Sequence, residues 1–538
     1  MWERDPPPGV VAVLGNGPVG QTTALLLARW GVRVLLLDAR EERARTGSKS
    51  ICQQRDVLDV WECVGAGRRI ADEGVTWTTA RTFHRDRELF AYTLPQHAGS
   101  CFPPFVNISQ ARTEEILDET IAVQPLIDVR WGYRVVDVRQ EGHGVTVRCE
   151  TAAGPVEIEA AYAVACAGAR ADDLRARLGV AFEGQSYDDR FLICDIRASL
   201  PGWTHERRFY FDPAWNPGRQ VLIHPCPGST FRIDWQVPAD YDLEGEEASG
   251  ALDARIRAIV GEKPYEIVWR SVYRFHSRVV DRMRAGRVLL AGDCAHLMAP
   301  FGARGLNSGV ADAENAAWKI AYVLRGWAPE GLLESYHHER HAAARENLEI
   351  TGATMRFLVP HDERERSRRT ETLERAATEP AARMEVDSGR LSEPFWYVDS
   401  PLTTPSATRP FAGRPARGTL APAGPGVVVC EAPVSVAGST GRLRALARDG
   451  FLLLVGSAVE ATLVRAAAAE FRGPIRALAL DEIDAAGAVR EGLAAQPDEV
   501  WVIRPDAHVA AVLTAPGIAD VVAALRRARG EGADRPPL

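Results

Sequence analysis

Two stretches of the chain combine residue types and spacings that suit a nucleotide and a flat, charge-accepting ring. The first is Gly15-Asn16-Gly17-Pro18-Val19-Gly20, which follows the apolar run Val10 to Leu14 and leads into a helical pattern with Val19, Thr23, Leu26 and Trp30 on one face. In this spacing Gly15 serves a tight turn, Gly17 lets the backbone approach a pyrophosphate, and Gly20 permits close helix–strand packing. Pro18 and Val19 belong to the same phosphate-facing turn. A second apolar run, Val32 to Leu37, ends at Asp38, 18 residues past Gly20. A carboxylate there accepts from a ribose hydroxyl and disfavours a 2′-phosphate, which selects NADH or the adenosine part of FAD over NADPH at this position.

The second stretch is Arg287 to Gly326. Asp293 closely follows the apolar strand Val288 to Ala291, within reach of a ligand's hydroxyl groups. A loop containing Pro300, Gly302, Gly305, Leu306 and Asn307 comes next, and its glycines leave room for a flat ligand against the backbone. The helix expected to begin near Asn307 aims its partly positive N-terminus over that loop. This is a place for a planar ligand that becomes negatively charged. Lys49 and Arg55 are further candidate cofactor contacts, Arg55 fitting a solvated helix surface equally well. His337 and His341 have i,i+4 spacing, but no third ligand or HExxH pattern accompanies them, so no metal is expected.

The elements that must position these residues follow from the pattern along the chain. Around the glycine fingerprint the reading is strand, helix, strand. A charged and then helical segment follows to about residue 65, and short strands between 75 and 108. A helix opens at Ser109, a strand meander covers Val129 to Gly168, and residues 185–280 become a sheet of aromatic and β-branched strands. Such a sheet can roof a pocket. Its aromatic and basic residues Tyr210, Trp215, Arg219, His224, Trp235 and Tyr273 are candidate substrate contacts, with His224 and Tyr210 the candidates for assisting removal of a substrate proton. Residues 361–420 read as charged helix and linker. From about Gly426, strands such as GVVVCEAPV, GFLLLVG and EVWVIRP alternate with Ala-rich helices, a small α/β unit without CxxC. The segment Val502 to Ala510 reads as a strand–turn–strand hairpin whose expected role is packing or oligomerisation.

Composition bounds the partners. At 538 residues the chain exceeds one ordinary core, and 46% hydrophobic with 25% charged residues is typical of soluble globular proteins. The net charge of -8 argues against nucleic acid and anionic membranes as partners, no uncharged apolar run reaches membrane-spanning length, and a signal-peptide pattern is lacking at the N-terminus. Nine dispersed cysteines favour reduced thiols and a cytoplasmic location. A homo-oligomer is compatible with all of this.

Taken together, Gly15-x-Gly17-x-x-Gly20, Gly292-Asp293-x-x-His296 and Pro300-Phe301-Gly302-x-x-Gly305-Leu306-Asn307 resemble the single-component FAD-dependent aromatic hydroxylases. The likeness is nearest to the 3-(3-hydroxyphenyl)propionate hydroxylase and polyketide-tailoring branch, and it covers most of the chain. The resemblance implies an α/β fold with a Rossmann-like FAD-binding domain (1–180 and 265–360), an inserted mixed β-sheet substrate domain (181–264), a helical linker (361–420) and a C-terminal thioredoxin-like α/β domain (421–538). It further implies that Asp38 holds the adenosine ribose, Asp293 the ribityl chain, and Gln110 the ribityl or pyrophosphate region, with Gly302 to Asn307 near the flavin ring. Lys49 stands where the family often has Arg. Gly168 and Arg170 retain the family's middle loop, but Ala167 replaces its usual acid, which weakens the expectation for nicotinamide binding. The activity implied is NAD(P)H- and O2-dependent hydroxylation of a small phenol-like substrate through a flavin C4a-hydroperoxide. Baeyer–Villiger or epoxidising chemistry on the same fold, a nicotinamide-only dehydrogenase and a non-catalytic FAD-binding scaffold or sensor are the alternatives.

Overall fold

The computed structural model describes residues 9–44, 47, 49–94, 99–360, 362–415, 419 and 421–531. Its nucleotide unit is built on a six-stranded sheet in the order 284–285, 288–290, 162–165, 10–14, 33–37, 127–130, parallel except at the 284–285 edge. The continuous apolar runs seen in the sequence are explained by cover on both faces. Helices Pro18–Arg29 and Gly305–Leu324 pack on one side, and the meander 134–160 lies on the other. Glycines let the two helices and the turn between them close up: a Cβ on Gly309 of the second helix would come within 2.6 Å of Val19 Cγ2 of the first, and one on Gly292 in the turn after strand 288–290 within 3.0 Å. Close approach there brings the two ligand-facing loops, far apart in sequence, onto one edge of the sheet.

An eight-stranded sheet stands over that edge, in the order 296–297, 265–280, 182–198, 230–237, 220–226, 206–211, 79–84, 87–93. Strands Phe182–Ala198 and Tyr265–Val280 are long enough to connect the two units. One face of the sheet is closed by helices Leu243–Ser249 and Ala251–Val260, which interrupt the run of strands expected over 185–280. Leu252, Ile256 and Val260, at i, i+4 and i+8, bury against Ile233 and Trp235. The opposite face packs Phe191, Phe209 and Leu222 against Phe301 of the glycine loop and Met355 and Leu358 of helix Glu334–Leu358.

The C-terminal unit has a four-stranded sheet in the order 475–479, 451–455, 499–503, 509–514. Segment 426–434, read from sequence as a strand, is mostly not one: the strand is Pro433–Val436, and upstream there is a single bridge, Val428 to His508. Its backbone bonds are divided among several partners: Val429 N donates to Ala507 O and Val509 N to Val427 O at the hairpin, whereas Gly426 O accepts from Tyr397 N and Ala432 O from Leu443 N, so no continuous ladder forms. Strand alternation splits this sheet between two cores. Leu452, Leu454 and Trp501 face the unit's own core, whereas Phe451, Leu453 and Val455 join Trp318 and Tyr322 in the core of the nucleotide unit.

Candidate active site

In the fingerprint each glycine does a distinct job. Gly15 turns at φ +115°, and its N–H donates to Leu37 O at 2.8 Å. A Cβ on Gly20 would lie 1.8 Å from Gly15 O, so only glycine lets the helix sit this close to the turn. Gly17, at the start of helix Pro18–Arg29, has an ordinary extended conformation, and a Cβ there would meet nothing within 4 Å. Its glycine is therefore not required by protein packing. The bare backbone borders open space at a helix N-terminus, which is the cradle a pyrophosphate needs.

Asp38 ends its strand beside this turn, and both its oxygens are already engaged. Oδ2 accepts from Asn16 N at 2.8 Å and Arg40 Nη2 at 2.9 Å, and Oδ1 accepts from Arg40 N and Nε at 2.9 Å each. Burial raises its carboxyl pKa, but the Arg40 and Asn16 bonds outweigh this and hold it below the ordinary range. A ribose hydroxyl reaches Asp38 only by sharing or displacing the half-exposed Arg40 side chain. Arg43 donates to Asn16 O and Oδ1 and pairs with Glu114 at 2.7 Å, fastening the turn to helix Gln110–Ala122. Sequence reasoning missed both arginines.

The second loop is held from behind by the segment 389–392. Ser392 N donates to Gly302 O at 2.7 Å, and Arg304, 2% exposed, donates to Arg390 O, Leu391 O and Asn347 Oδ1. Gly302 sits at φ +95°, where a Cβ would be 2.1 Å from Arg390 O. Part of what reads in sequence as linker is thus a wall of the site. Asn307 uses its amide as a strand would: Oδ1 accepts from Gln54 N at 3.0 Å and Nδ2 donates to Cys52 O at 3.0 Å. Its side chain fixes the loop to strand Cys52–Gln54, leaving backbone rather than amide for a ligand. At Gly305, as at Gly17, a Cβ would meet nothing within 4 Å. The N–H groups of this first turn have no partner within their own helix.

Asp293 follows strand Val288–Leu290 in a short 3-10 turn. Its side chain remains open to solvent although protein surrounds it on most sides. That desolvation pushes its carboxyl upward, and nearby His296 and Lys49 oppose the shift. Lys49 is exposed, and Arg55 is buried at the start of helix Arg55–Glu62, with its pKa lowered by burial. Gln110 opens the helix beside the fingerprint, donating to Glu114 and accepting from Ser50 N. Ala167 and Arg170 are both exposed just past strand Tyr162–Ala165, Ala167 lying against the Gly15 turn. Pro300, Leu306 and Val19 border the same loops, with Val19 and Leu306 packing inward against the core.

The aromatic candidates divide by sheet face. His224 lies opposite Arg232 in the strand register and Leu222 opposite Asp234, so these residues share the face that carries Phe191, Phe209 and the Phe301 cluster. Tyr273, opposite Phe191, joins them. Tyr210 and Trp235 point the other way, into the core under helices 243–260, and Trp215 packs against that core. Arg219 and Trp215 line a cleft beside those helices. Of the candidate substrate contacts, Tyr210, Trp215, Arg219 and Trp235 thus lie away from the face that packs against Phe301, and His224 and Tyr273 lie on it; a one-residue offset in a strand reverses the side chain. The period-2 pattern Arg232, Asp234, Gln236 against Phe231, Ile233, Trp235 carried this signal in the sequence. His224 is 9% exposed, and Nδ1 has no partner in the structure. Burial, reinforced by Arg207 and Arg232, holds its pKa well below the ordinary value, so the imidazole is neutral. On the same face, burial raises Asp234 to about 7, and its Oδ1 is also unpartnered. Arg232 is held by Asp195 in a two-pronged pair at 2.8 and 3.0 Å.

No cluster of three or more His, Cys, Asp or Glu among the described residues suits a metal, and His337 Nδ1 instead accepts from Met283 N at 3.1 Å. No helix among them is long and apolar enough to cross a membrane.

A glycine turn at a helix N-terminus, a carboxylate at the end of the next strand and a second glycine loop at another helix N-terminus form the kind of cradle that suits a dinucleotide cofactor such as FAD. Comparison with known proteins agrees: residues 9–351 match the FAD binding domain family. The chain is 28% identical over 411 residues to a 3-(3-hydroxy-phenyl)propionate/3-hydroxycinnamic acid hydroxylase of Mycobacterium sp. (strain JLS), covering 76% of this chain and 70% of that protein. It is 32% identical over 353 residues to a rifampicin monooxygenase of Streptomyces venezuelae, covering 65% and 71%. The fold is shared with the flavin-dependent monooxygenase PieE in complex with FAD and substrate (TM-score 0.83, 21% identity, 97% and 99% of the chains) and with aklavinone-11 hydroxylase bound to FAD and aklavinone (TM-score 0.78, 24% identity, 98% and 99%). The protein belongs to the FAD binding domain family and is an FAD-dependent monooxygenase of the aromatic-hydroxylase type.

Proposed function

We propose that this enzyme uses NAD(P)H and O2 to hydroxylate a phenol-like ring held between the glycine loop 300–307 and the polar face of the eight-stranded sheet. The observation that carries this reading is His224, a buried neutral imidazole with an unpartnered Nδ1 on the sheet face that packs against the loop's Phe301. FAD, when bound, supplies acceptance of hydride and activation of oxygen. The chain's own residues do the rest. His224 accepts a hydrogen bond from the substrate hydroxyl, which increases the electron density of the ring. Asp234, with a carboxyl near neutrality, is placed to take up or return that proton. Phe191, Phe209 and Phe301 keep water from the ring. The unpaired helix N-terminus at Gly305 stabilises negative charge on the ring of the cofactor.

The domain limits proposed are those of the sequence reading, with strands 79–84, 87–93 and 265–280 joined to the substrate sheet and residues 389–392 to the cofactor site. All nine cysteines are unpaired, which supports the proposed cytoplasmic location. The test is a panel of phenols with the purified flavoprotein, following NAD(P)H consumption and hydroxylated product. The expected result is consumption that accelerates with a phenol and matches product formed, while His224→Ala keeps FAD and loses most product. A ketone or alkene oxidised in preference to every phenol, or His224→Ala at full product yield, would overturn the reading.

A further inference from the structure

The hairpin of the C-terminal unit carries charge into the centre of the nucleotide unit. Arg504 and Asp506, between strands Glu499–Ile503 and Val509–Thr514, are 0% and 2% exposed. Arg504 grips both carboxylate oxygens of Glu339 on helix Glu334–Leu358 and also donates to Asp506. Glu339 accepts in addition from Lys319 Nζ at 2.6 Å and Asn315 Nδ2 at 2.7 Å, and Asp506 accepts from Trp318 Nε1 at 3.2 Å. Asn315, Trp318 and Lys319 all belong to helix Gly305–Leu324, the one whose start faces the flavin position.

The network does not stop there. Asn315 Nδ2 also donates to Tyr397 Oη at 3.3 Å, and Arg340 Nη1 donates to the same oxygen at 3.0 Å. Arg340 continues through Nε to Asp312 Oδ1 at 2.7 Å and through Nη2 to Ser308 O at 3.2 Å. The other oxygen of Asp312 accepts from Gly292 N at 3.0 Å and bonds His296 Nε2 at 2.7 Å. Gly292 is the residue before Asp293. An unbroken set of buried hydrogen bonds thus joins Arg504 to the turn that presents the ribityl-facing carboxylate. Within it Lys319, Arg340 and Arg504 balance Asp312, Glu339 and Asp506, and the side chains of Lys319, Glu339 and Arg504 are all 0% exposed.

Removing one partner from a buried charge set leaves the others uncompensated, and they relax by moving. Here the parts able to move are helix 305–324 and the Gly292–Asp293 turn. We propose that Arg504 and Glu339 are positioning residues for the FAD site, through which the C-terminal unit sets the geometry of the Gly292–Asp293 turn and the start of helix 305–324. The C-terminal unit then acts on the cofactor site through this buried network. Coupling of this kind is reciprocal, so bound FAD must also steady the hairpin. The inference rests on FAD binding and not on the identity of the aromatic substrate.

The test uses the full chain stripped of FAD and titrated back, with hydrogen exchange read in parallel. Arg504→Met is compared with Arg409→Met. The latter breaks another largely buried pair, between Arg409 of the linker and Glu499 of the C-terminal unit at 2.8 Å, and Arg409 otherwise donates to Ala423 O, Leu493 O and Ala494 O of that same unit. The expected result is an FAD Kd weakened at least tenfold in Arg504→Met, with faster amide exchange in 288–297, and within twofold of the parent in Arg409→Met. Arg504→Lys should recover part of the loss, and FAD should slow exchange in 503–509 of the parent protein. If Arg504→Met does not fold, Tyr397→Phe removes one hydroxyl from the middle of the path and should weaken FAD several-fold. Unchanged FAD affinity in the variant that folds, or equal losses in the Arg504 and Arg409 variants, would overturn the proposal.

Discussion

Two alanine substitutions in the fingerprint separate what the fold needs from what the cofactor needs. At Gly20 the added Cβ falls 1.8 Å from Gly15 O and 3.0 Å from Gly15 C. That carbonyl cannot retreat freely, because Gly15 N is tied to Leu37 O and a shift would break the turn. Overpacking of backbone by backbone costs about 1–3 kcal/mol or more, so Gly20→Ala should lower the urea midpoint and lose FAD as a consequence. At Gly17 the Cβ meets nothing within 4 Å and the backbone is extended. Loss of glycine's unfolded-state freedom stabilises by ~0.4–1 kcal/mol, and the poorer capping by alanine offsets a similar amount. The FAD-free protein should therefore unfold within about 0.5 kcal/mol of the parent. The methyl would nevertheless occupy the approach to the pyrophosphate, and losing one charge-assisted hydrogen bond costs about 1.5–3 kcal/mol, or roughly tenfold to a hundredfold in affinity. The assay is titration of FAD into the stripped protein beside a urea melt of the same sample. Gly17→Ala binding FAD as tightly as the parent would refute the assignment of this backbone to the pyrophosphate.

Phe301→Ala should cost ~3–5 kcal/mol in unfolding free energy, because the ring is 3% exposed and packs within 5.4 to 6.3 Å of the rings of Phe191, Phe209 and Phe275; a thermal or urea melt measures it, and a loss under 1 kcal/mol would contradict the packing. Asp312 gives a pH dependence. Chiefly His296 and Arg340, against the opposing effect of burial, hold its carboxyl at about 2 instead of 3.8. Its folded-state pKa is depressed, so as pH falls through 3.8 the unfolded chain binds the proton first; about 2 kcal/mol of stability, complete above about pH 5, is lost as pH falls toward 2. Urea midpoints across that window should fall less steeply for Asp312→Asn, which already lacks this contribution. Ala167→Asp, at an exposed position beside the Gly15 turn, should leave stability within about 0.5 kcal/mol and raise the rate of flavin reduction by NAD(P)H in stopped-flow measurements. An unchanged rate would remove that loop from nicotinamide binding.

What the sequence determined by itself was everything carried by local pattern. Gly15, Gly17, Gly20 and Asp38 are spaced by the geometry of one strand–helix–strand unit, and Gly302 and Gly305 by one loop, so their chemistry is legible without knowing what lies across from them. Polar and apolar alternation in Thr230–Val237 likewise encodes which residues share the His224 face, whereas aromatic content alone does not separate it from the opposite face that carries Tyr210 and Trp235. Tertiary structure alone decided the long-range terms. Arg43 tying Asn16 to Glu114, Arg390 and Ser392 walling the glycine loop, and Arg504 reaching Glu339 across 165 residues all depend on groups converging from separate elements. Periodicity reports which face of an element is buried and is silent on its partner. Buried charges look like surface charges in a sequence, because their burial is balanced by ions that only folding brings together.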